Sequence, residues 1–76
     1  MKDEAETRVV NVSPRSHAGV VIDLEPVFLA GIMERRVIMG KDECARKDIR
    51  CGDCVILQPR EQGLTIARVL IEKRTP

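Results

Sequence analysis

The sequence predicts a small all-β domain into which one short helix is inserted. Apolar and polar side chains alternate along most of the chain, as at Val20, Ile22 and Leu24, and this period of two is typical of a half-buried strand. One stretch, residues 42–47, carries helix signals instead. At 76 residues the chain can form one domain with a modest core, and it is too short for a deep catalytic pocket.

Five strands follow from this alternation, with turn residues between them. The apolar pattern of the second strand is interrupted at Pro26 and then resumes, so we expect a bulge or a sharp bend there and not the end of the strand. In chain order, the predicted strands cover residues 7–12, 19–30, 35–39, 54–58 and 64–72.

The helix is predicted over residues 42–47, before the turn at Gly52 and Asp53. Asp42 and Glu43 lie where a helix N-terminus favours negative charge, and each precedes a basic residue by four positions. Because its apolar side is narrow, this helix can plug the end of another structure but cannot form a core alone.

The order of three strands, a helix and two strands is that of an OB-fold. This fold is a five-stranded Greek-key barrel whose helix lies between strands 3 and 4. Residues 7–73 are therefore predicted to form the domain, with residues 1–6 as a flexible lead and residues 74–76 as a tail.

Composition narrows the function. The chain has 13 basic and 12 acidic side chains, which excludes a simple polybasic nucleic-acid tail. It has one Phe and no Trp or Tyr, so any nucleic acid is expected to be held by its backbone and not by base stacking. Three cysteines, with neither a signal peptide nor a long apolar run, predict a cytoplasmic protein without membrane contact.

Two motifs and one spacing carry a resemblance. Residues 24–31 are Leu-Glu-Pro-Val-Phe-Leu-Ala-Gly. Residues 42–53 begin Asp-Glu-Cys-Ala-Arg and end Cys-Gly-Asp, and the third feature is the spacing from this Gly-Asp pair to the last strand. They resemble the OB domain of bacterial NAD-dependent DNA ligases, where Leu-Glu-Pro-Val, Asp-Glu-Ile-Ala-Arg and Ile-Gly-Asp recur in this order. The resemblance extends over nearly the whole chain from about Asn11.

The resemblance implies a non-catalytic role in DNA repair and replication. In such ligases the OB domain grips nicked or double-stranded DNA across the minor groove and bends it for the adenylation domain. The nucleophilic lysine motif of that domain, Lys-x-Asp-Gly, has no match here, so no cofactor is expected for this chain. NAD would be used by the adenylation domain of a parent ligase, whose other domains are possible partners.

Three loops depart from the family pattern. Its Gly-Arg-Thr-Gly turn is here Ser-Pro-Arg-Ser at residues 13–16, and its Ala-Thr-Leu-His-Asn segment corresponds to residues 36–40 without the His-Asn pair. Its Arg-x-Gly-Asp-Val-Ile-Pro signature is replaced at residues 59–65. The motifs that build the barrel are retained, whereas these DNA-facing loops have diverged.

Five basic residues form the predicted DNA-contact set, because arginine can donate two hydrogen bonds to phosphate and OB-folds bind across strands 2 and 3 and adjoining loops. The set comprises Arg15, Arg35, Arg36, Lys41 and Arg60. Each of them can instead belong to a solvated charged face. Adjacent strand residues point to opposite sides, so Arg35 and Arg36 share a groove only if a bulge intervenes.

The cysteines allow an alternative. Cys51 and Cys54 form a Cys-x-x-Cys unit with Cys44 upstream, and thiolates are zinc ligands. One such unit without a second is weak evidence, so we interpret all three as small buried hydrophobic residues and expect no metal. A further alternative is a degenerate barrel that has lost DNA binding and serves as a protein-interaction or structural module.

Overall fold

The computed structural model describes residues 3–14, 19–61 and 63–74. Within these ranges, five strands, one α-helix and a short 3₁₀ turn follow one another in the predicted order. The elements are β1 (Ala5–Pro14), β2 (Gly19–Leu29), β3 (Ile32–Gly40), α1 (Lys41–Lys47), β4 (Cys54–Arg60), β5 (Gly63–Val69) and the 3₁₀ turn (Ile71–Lys73).

Strand β1 is the centre of one antiparallel sheet with the order β3-β2-β1-β4-β5. Its first half, from Ala5 to Arg8, pairs with β4, and its second half, from Val9 onward, pairs with β2. The sheet curls so that the outermost strands, β3 and β5, come into contact, but their described residues form no ladder. The result is an OB-fold in the form of a half-open barrel, which confirms the predicted fold class.

The Leu-Glu-Pro-Val segment forms the predicted bulge. The pairing of β2 with β3 shifts between Asp23 and Val27, so that three residues of β2 lie opposite Arg35 alone. The hydroxyl of Thr7 donates a 2.6 Å hydrogen bond to the carbonyl oxygen of Glu25 inside the bulge. Pro26 is tolerated because its position is exposed and a bulge does not need its missing N–H.

The core lies inside the curl of the sheet. Ile22, Leu57 and Ile66 are completely buried there, at 0% exposure. Helix α1 closes one end of the core with Cys44, and Ile49 follows it into the same cluster. The helix ends at Asp48, whose φ of 52° is left-handed and whose backbone N–H donates to the carbonyl of Ala45.

Each of the five strands differs from its sequence-based prediction by one to three residues at one or both ends. β1 begins at Ala5, within the segment predicted as a lead, because Ala5 pairs with Leu57 of β4. β5 ends at Val69, three residues before its predicted end, because the chain turns into the 3₁₀ turn Ile71–Lys73. No helix among the described residues is long and apolar enough to cross a membrane.

Candidate nucleic-acid interface

Arg35 and Arg36 occupy different electrostatic environments on β3. Arg35 lies opposite the bulge and is exposed. Arg36 is directly opposite Asp23 on β2, and its Nε donates to Asp23 Oδ1 at 2.9 Å. Because the Asp23 carboxylate balances Arg36, Arg35 contributes more of the unbalanced positive charge on this strand.

A cleft of about 330 Å³ runs along the seam between β3 and β5. We term it the seam cleft, and its lining residues are Glu34, Arg36, Val37, Ile38, Gly63 and Leu64. Arg60, at the end of β4, pairs with Gly63 at the start of β5. The fold therefore brings Arg36 and the β4–β5 turn that carries Arg60 to the same seam.

Lys41 is far from this seam, although it belongs to the predicted set. It starts α1 directly after Gly40, which pairs with Gly19 at the opposite end of the β2–β3 ladder. At the rise of a strand, five residues separate Lys41 from Arg36 by about 17 Å. Arg15 lies outside the described residues. The structure thus places Arg35 and Arg36 in the middle of β3, Arg60 opposite Gly63 at the start of β5, and Lys41 beyond the end of β3.

Asp53 joins the turn before β4 to the end of the chain. Gly52, with a φ of +94°, turns the chain, and Asp53 is only 5% exposed. Its Oδ2 accepts the backbone N–H of Arg50 at 2.9 Å, while Arg74 donates from Nε to Oδ1 at 2.9 Å and from Nη2 to Oδ2 at 2.8 Å. These Arg74 hydrogen bonds hold the pKa of the Asp53 carboxyl below its usual value.

Beside this turn lies a second cleft, of about 320 Å³, on the outer side of β1 and β4. We term it the β1–β4 cleft, and its lining residues are Arg8, Arg50, Cys51, Gly52, Asp53, Cys54, Lys73 and Arg74. Sequence reasoning missed these four basic residues because they are scattered along the chain. Arg8, for example, reaches the cleft because it lies opposite Cys54 where β1 pairs with β4. Such a pairing cannot be read from a local sequence pattern.

The three cysteines have different environments. Cys44 is buried in the core, as predicted, and burial raises the pKa of its thiol. Cys51 is exposed and its Sγ donates to the carbonyl of Val10 at 3.1 Å, whereas Cys54 is half-buried. The interpretation as small buried hydrophobic residues is therefore wrong for Cys51, because it lies at the tip of the turn. Over residues 3–14, 19–61 and 63–74, no group of three or more metal-ligating side chains is arranged to hold an ion.

An apolar patch marks the tip of the β2–β3 hairpin. Phe28 pairs with Met33, and they are 67% and 43% exposed. Ile32 beside them is 60% exposed. We term these three residues the hairpin patch. Such side chains are usually covered in an assembly when they cluster on a surface.

Over most of its length, the chain is similar to one segment of bacterial DNA ligases. It is 39% identical over 80 residues to the DNA ligase of Methylococcus capsulatus, which covers 97% of this chain. The DNA ligase of Symbiobacterium thermophilum gives the same identity and coverage, and that of Protochlamydia amoebophila is 36% identical over 73 residues. The resemblance inferred from the motifs is thereby confirmed.

The matched segment is a small part of those enzymes. The chain spans 12% of the Methylococcus capsulatus ligase and 11% of the Protochlamydia amoebophila ligase. No family model matches the chain. The similarity therefore relates this chain to a domain-sized segment of a ligase and not to a whole enzyme.

Proposed function

We propose, because the chain is similar over nearly its whole length to one segment of bacterial DNA ligases, that it is a non-catalytic DNA-binding domain. The similarity over 97% of the chain is the observation that carries this proposal. The domain would hold nicked or double-stranded DNA through its backbone and minor groove, during ligation in DNA repair and replication. In this proposal it acts in the cytoplasm without a cofactor, and NAD serves the adenylation domain of a ligase.

The seam between β3 and β5 is the part of the barrel that we assign to DNA. OB-folds bind oligonucleotides on the face of strands 2 and 3 and in the adjoining loops, and the seam cleft has that position. Arg35 and Arg60 do not line the cleft but are exposed next to lining residues, Arg35 between Glu34 and Arg36 and Arg60 opposite Gly63, and each guanidinium can donate two hydrogen bonds to a phosphate. Arg36 is held by Asp23 at the cleft wall, which fixes its position for a further contact.

The composition determines the mode of binding. With one Phe and no Trp or Tyr, the chain has little means to stack on bases, so phosphate contacts would supply most of the affinity. Such binding is independent of sequence and weakens as salt rises, because counterions return to the DNA. For sequence-independent phosphate contacts of this kind, we expect a Kd of about 1 μM or weaker at physiological salt.

The test is fluorescence anisotropy of a labelled nicked duplex at several salt concentrations, with intact duplex and single strand alongside. The variant carries Arg35→Ala and Arg60→Ala. Its matched control carries Arg46→Ala and Arg68→Ala, which remove the same charge from exposed positions that are not next to any residue lining the seam cleft. Each lost phosphate contact lowers the slope of log K against log salt by about 0.9, so the seam variant should lose about 2.

The control variant should keep nearly the slope of the unmodified protein. Equal losses in both double variants would show that only overall charge matters and that the seam is not the DNA surface. An unmodified protein that does not bind any duplex even at low salt would refute DNA binding itself.

A second candidate function, a protein-interaction module, is supported by the hairpin patch. Phe28 is 67% exposed on a strand tip that contains no charged side chain between Val27 and Met33. A fitting partner would be the remainder of a ligase, for example a bacterial DNA ligase from which the similar segment has been deleted. Phe28→Ser should weaken association with that truncated ligase without changing DNA affinity. Unchanged association would count against this function.

A further inference from the structure

Four basic side chains converge on the β1–β4 cleft from distant parts of the chain. Arg8 comes from β1, Arg50 from the segment after α1, and Lys73 and Arg74 from the end of the 3₁₀ turn and the residue after it. Two contacts bring them together. Arg8 pairs with Cys54 in the β1–β4 ladder, and the N–H of Leu70 donates to the carbonyl of Cys54 at 2.8 Å, which returns the chain end to the same place.

The negative charge within the lining already has hydrogen-bond donors of the protein around it. Asp53 is the one acidic residue among the lining side chains, and its oxygens accept three hydrogen bonds, two from Arg74 and one from the backbone of Arg50. Because both oxygens face these donors and Asp53 is 5% exposed, its charge is directed inward and not into the cleft.

Two further carboxylates bind these cations but do not line the cleft. Asp48 Oδ2 lies 2.7 Å from Arg50 Nη2, and Glu6 Oε2 lies 2.6 Å from Lys73 Nζ. These ion pairs hold Arg50 and Lys73 in place while the lining itself remains rich in donors. Lys73 has three N–H groups and uses one of them for Glu6.

Arg8 differs from the other three cations. Within the described part of the chain it forms no ion pair and no side-chain hydrogen bond, so all five of its N–H donors face solvent or the cleft. The Arg8 fork, flanked by the cations Arg50 and Lys73, matches the geometry of a phosphate, which accepts two parallel hydrogen bonds.

We propose that the β1–β4 cleft is an anion site for a phosphate group, either free or as part of a nucleic-acid backbone. Arg8 grips the phosphate, and Lys73 and Arg50 provide the flanking positive charge. The cleft volume of about 320 Å³ exceeds what one phosphate needs, so the group can carry a substituent. The site shares no residue with the seam cleft, and it does not depend on the proposed DNA function.

The test is a titration of the ¹⁵N-labelled protein with inorganic phosphate, followed by ¹H–¹⁵N correlation spectra, with sodium chloride added to the reference sample to match ionic strength. The amides of Arg8, Cys51–Cys54 and Lys73 should shift with saturation, whereas those of β3 should not. Arg8→Ala should weaken phosphate binding about tenfold, since a charge-assisted hydrogen-bond pair is lost. Arg46→Ala, an exposed cation on α1, should leave it unchanged.

A second arm uses the nicked duplex in place of phosphate. Shifts at the cleft amides with both probes would support the site and identify the nucleic-acid backbone as a source of its phosphate. Shifts with inorganic phosphate alone would support the site and identify a free phosphate compound as its ligand. The absence of saturable shifts at these amides with either probe would overturn the proposal, whatever happens at the seam cleft.

Discussion

Replacing one carboxylate oxygen of Asp53 should destabilise this domain. Asp53→Asn keeps the size of the side chain but replaces one oxygen with an NH₂ group and removes the charge. Asp53 Oδ2 now accepts from the Arg50 backbone and from Arg74 Nη2, while Oδ1 accepts from Arg74 Nε, so a single remaining oxygen can serve at most two of these three donors. At least one donor therefore loses its partner in a place that water reaches poorly, because Asp53 is 5% exposed.

The expected loss is about 2–3 kcal/mol, the cost typical of removing a charged hydrogen-bond partner from a buried site. A domain of this length has a total free energy of unfolding of about 4–11 kcal/mol, at 0.05–0.15 kcal/mol per residue. The substitution should thus remove about a fifth or more of the stability, and the midpoint of thermal unfolding should fall by about 10–20 °C.

The assay is urea unfolding followed by far-UV circular dichroism, because the chain contains no Trp for fluorescence. Asp42→Asn is the matched control, since Asp42 is exposed in the first turn of α1, and the loss of its charge at the helix N-terminus should cost about 1 kcal/mol or less. If Asp53→Asn behaves like this control, the hydrogen bonds seen at the turn do not stabilise the fold.

The effect should also depend on pH in a defined direction. The Arg74 hydrogen bonds lower the pKa of folded Asp53, so its contribution is fully present above the unfolded pKa of about 3.9 and is lost as the pH falls through the lower folded value. The stability difference between the unmodified protein and Asp53→Asn should therefore be constant near pH 7 and shrink below about pH 5. A difference that grows in acid would refute this assignment.

Two further predictions concern the turn and the bulge. Gly52→Ala should lower the free energy of urea unfolding by about 1–2 kcal/mol, because the φ of +94° disfavours any L side chain. A clash is not the cause, since an added Cβ meets no atom within 4 Å. Gly40→Ala is the control and should be nearly neutral, because the φ of Gly40 is −63°. Equal effects would exclude backbone strain as the cause. Thr7→Val should cost about 1–2 kcal/mol because the Glu25 carbonyl in the bulge loses its donor, and Thr7→Ser should recover most of that loss. An unchanged midpoint for Thr7→Val would show that water replaces the hydroxyl.

The fold could be predicted because its determinants are local. Alternation of side chains gave the strands, and Pro26 indicated the bulge since a proline cannot donate to a ladder. The ends of strands were less predictable because they depend on pairing. Ala5 becomes part of β1 only because Leu57, 52 positions later, lies opposite it. No property of the first six residues alone reports that partner.

The candidate site was predictable only in part for the same reason. Arg35, Arg36 and Arg60 were predicted from their places on strand 3 and in a flanking loop, where OB-folds bind ligands, and their contact with DNA stays a prediction. What the sequence could not show is that Asp23 pairs with Arg36, or that Arg74 turns back to Asp53. A basic residue near the chain end is normally assigned to a solvated tail, and only the three-dimensional path of the 3₁₀ turn brings it to the cleft.

The balanced charge of the chain is compatible with anion binding because its acidic residues are not distributed evenly. Several carboxylates face particular cations, as Asp23 faces Arg36 and Glu6 faces Lys73, and each such pair neutralises one small region. The exposed basic residues without an ion pair in the described residues include Arg8 at the β1–β4 cleft and Arg35 and Arg60 near the seam, as well as Lys41, Arg46 and Arg68 elsewhere. At physiological salt, charges are screened within about 8 Å, so a phosphate at either cleft responds to those local groups and hardly to the net charge of +1. Net charge is therefore a poor guide to nucleic-acid binding in a domain of this size, and the pattern of ion pairs is the better one.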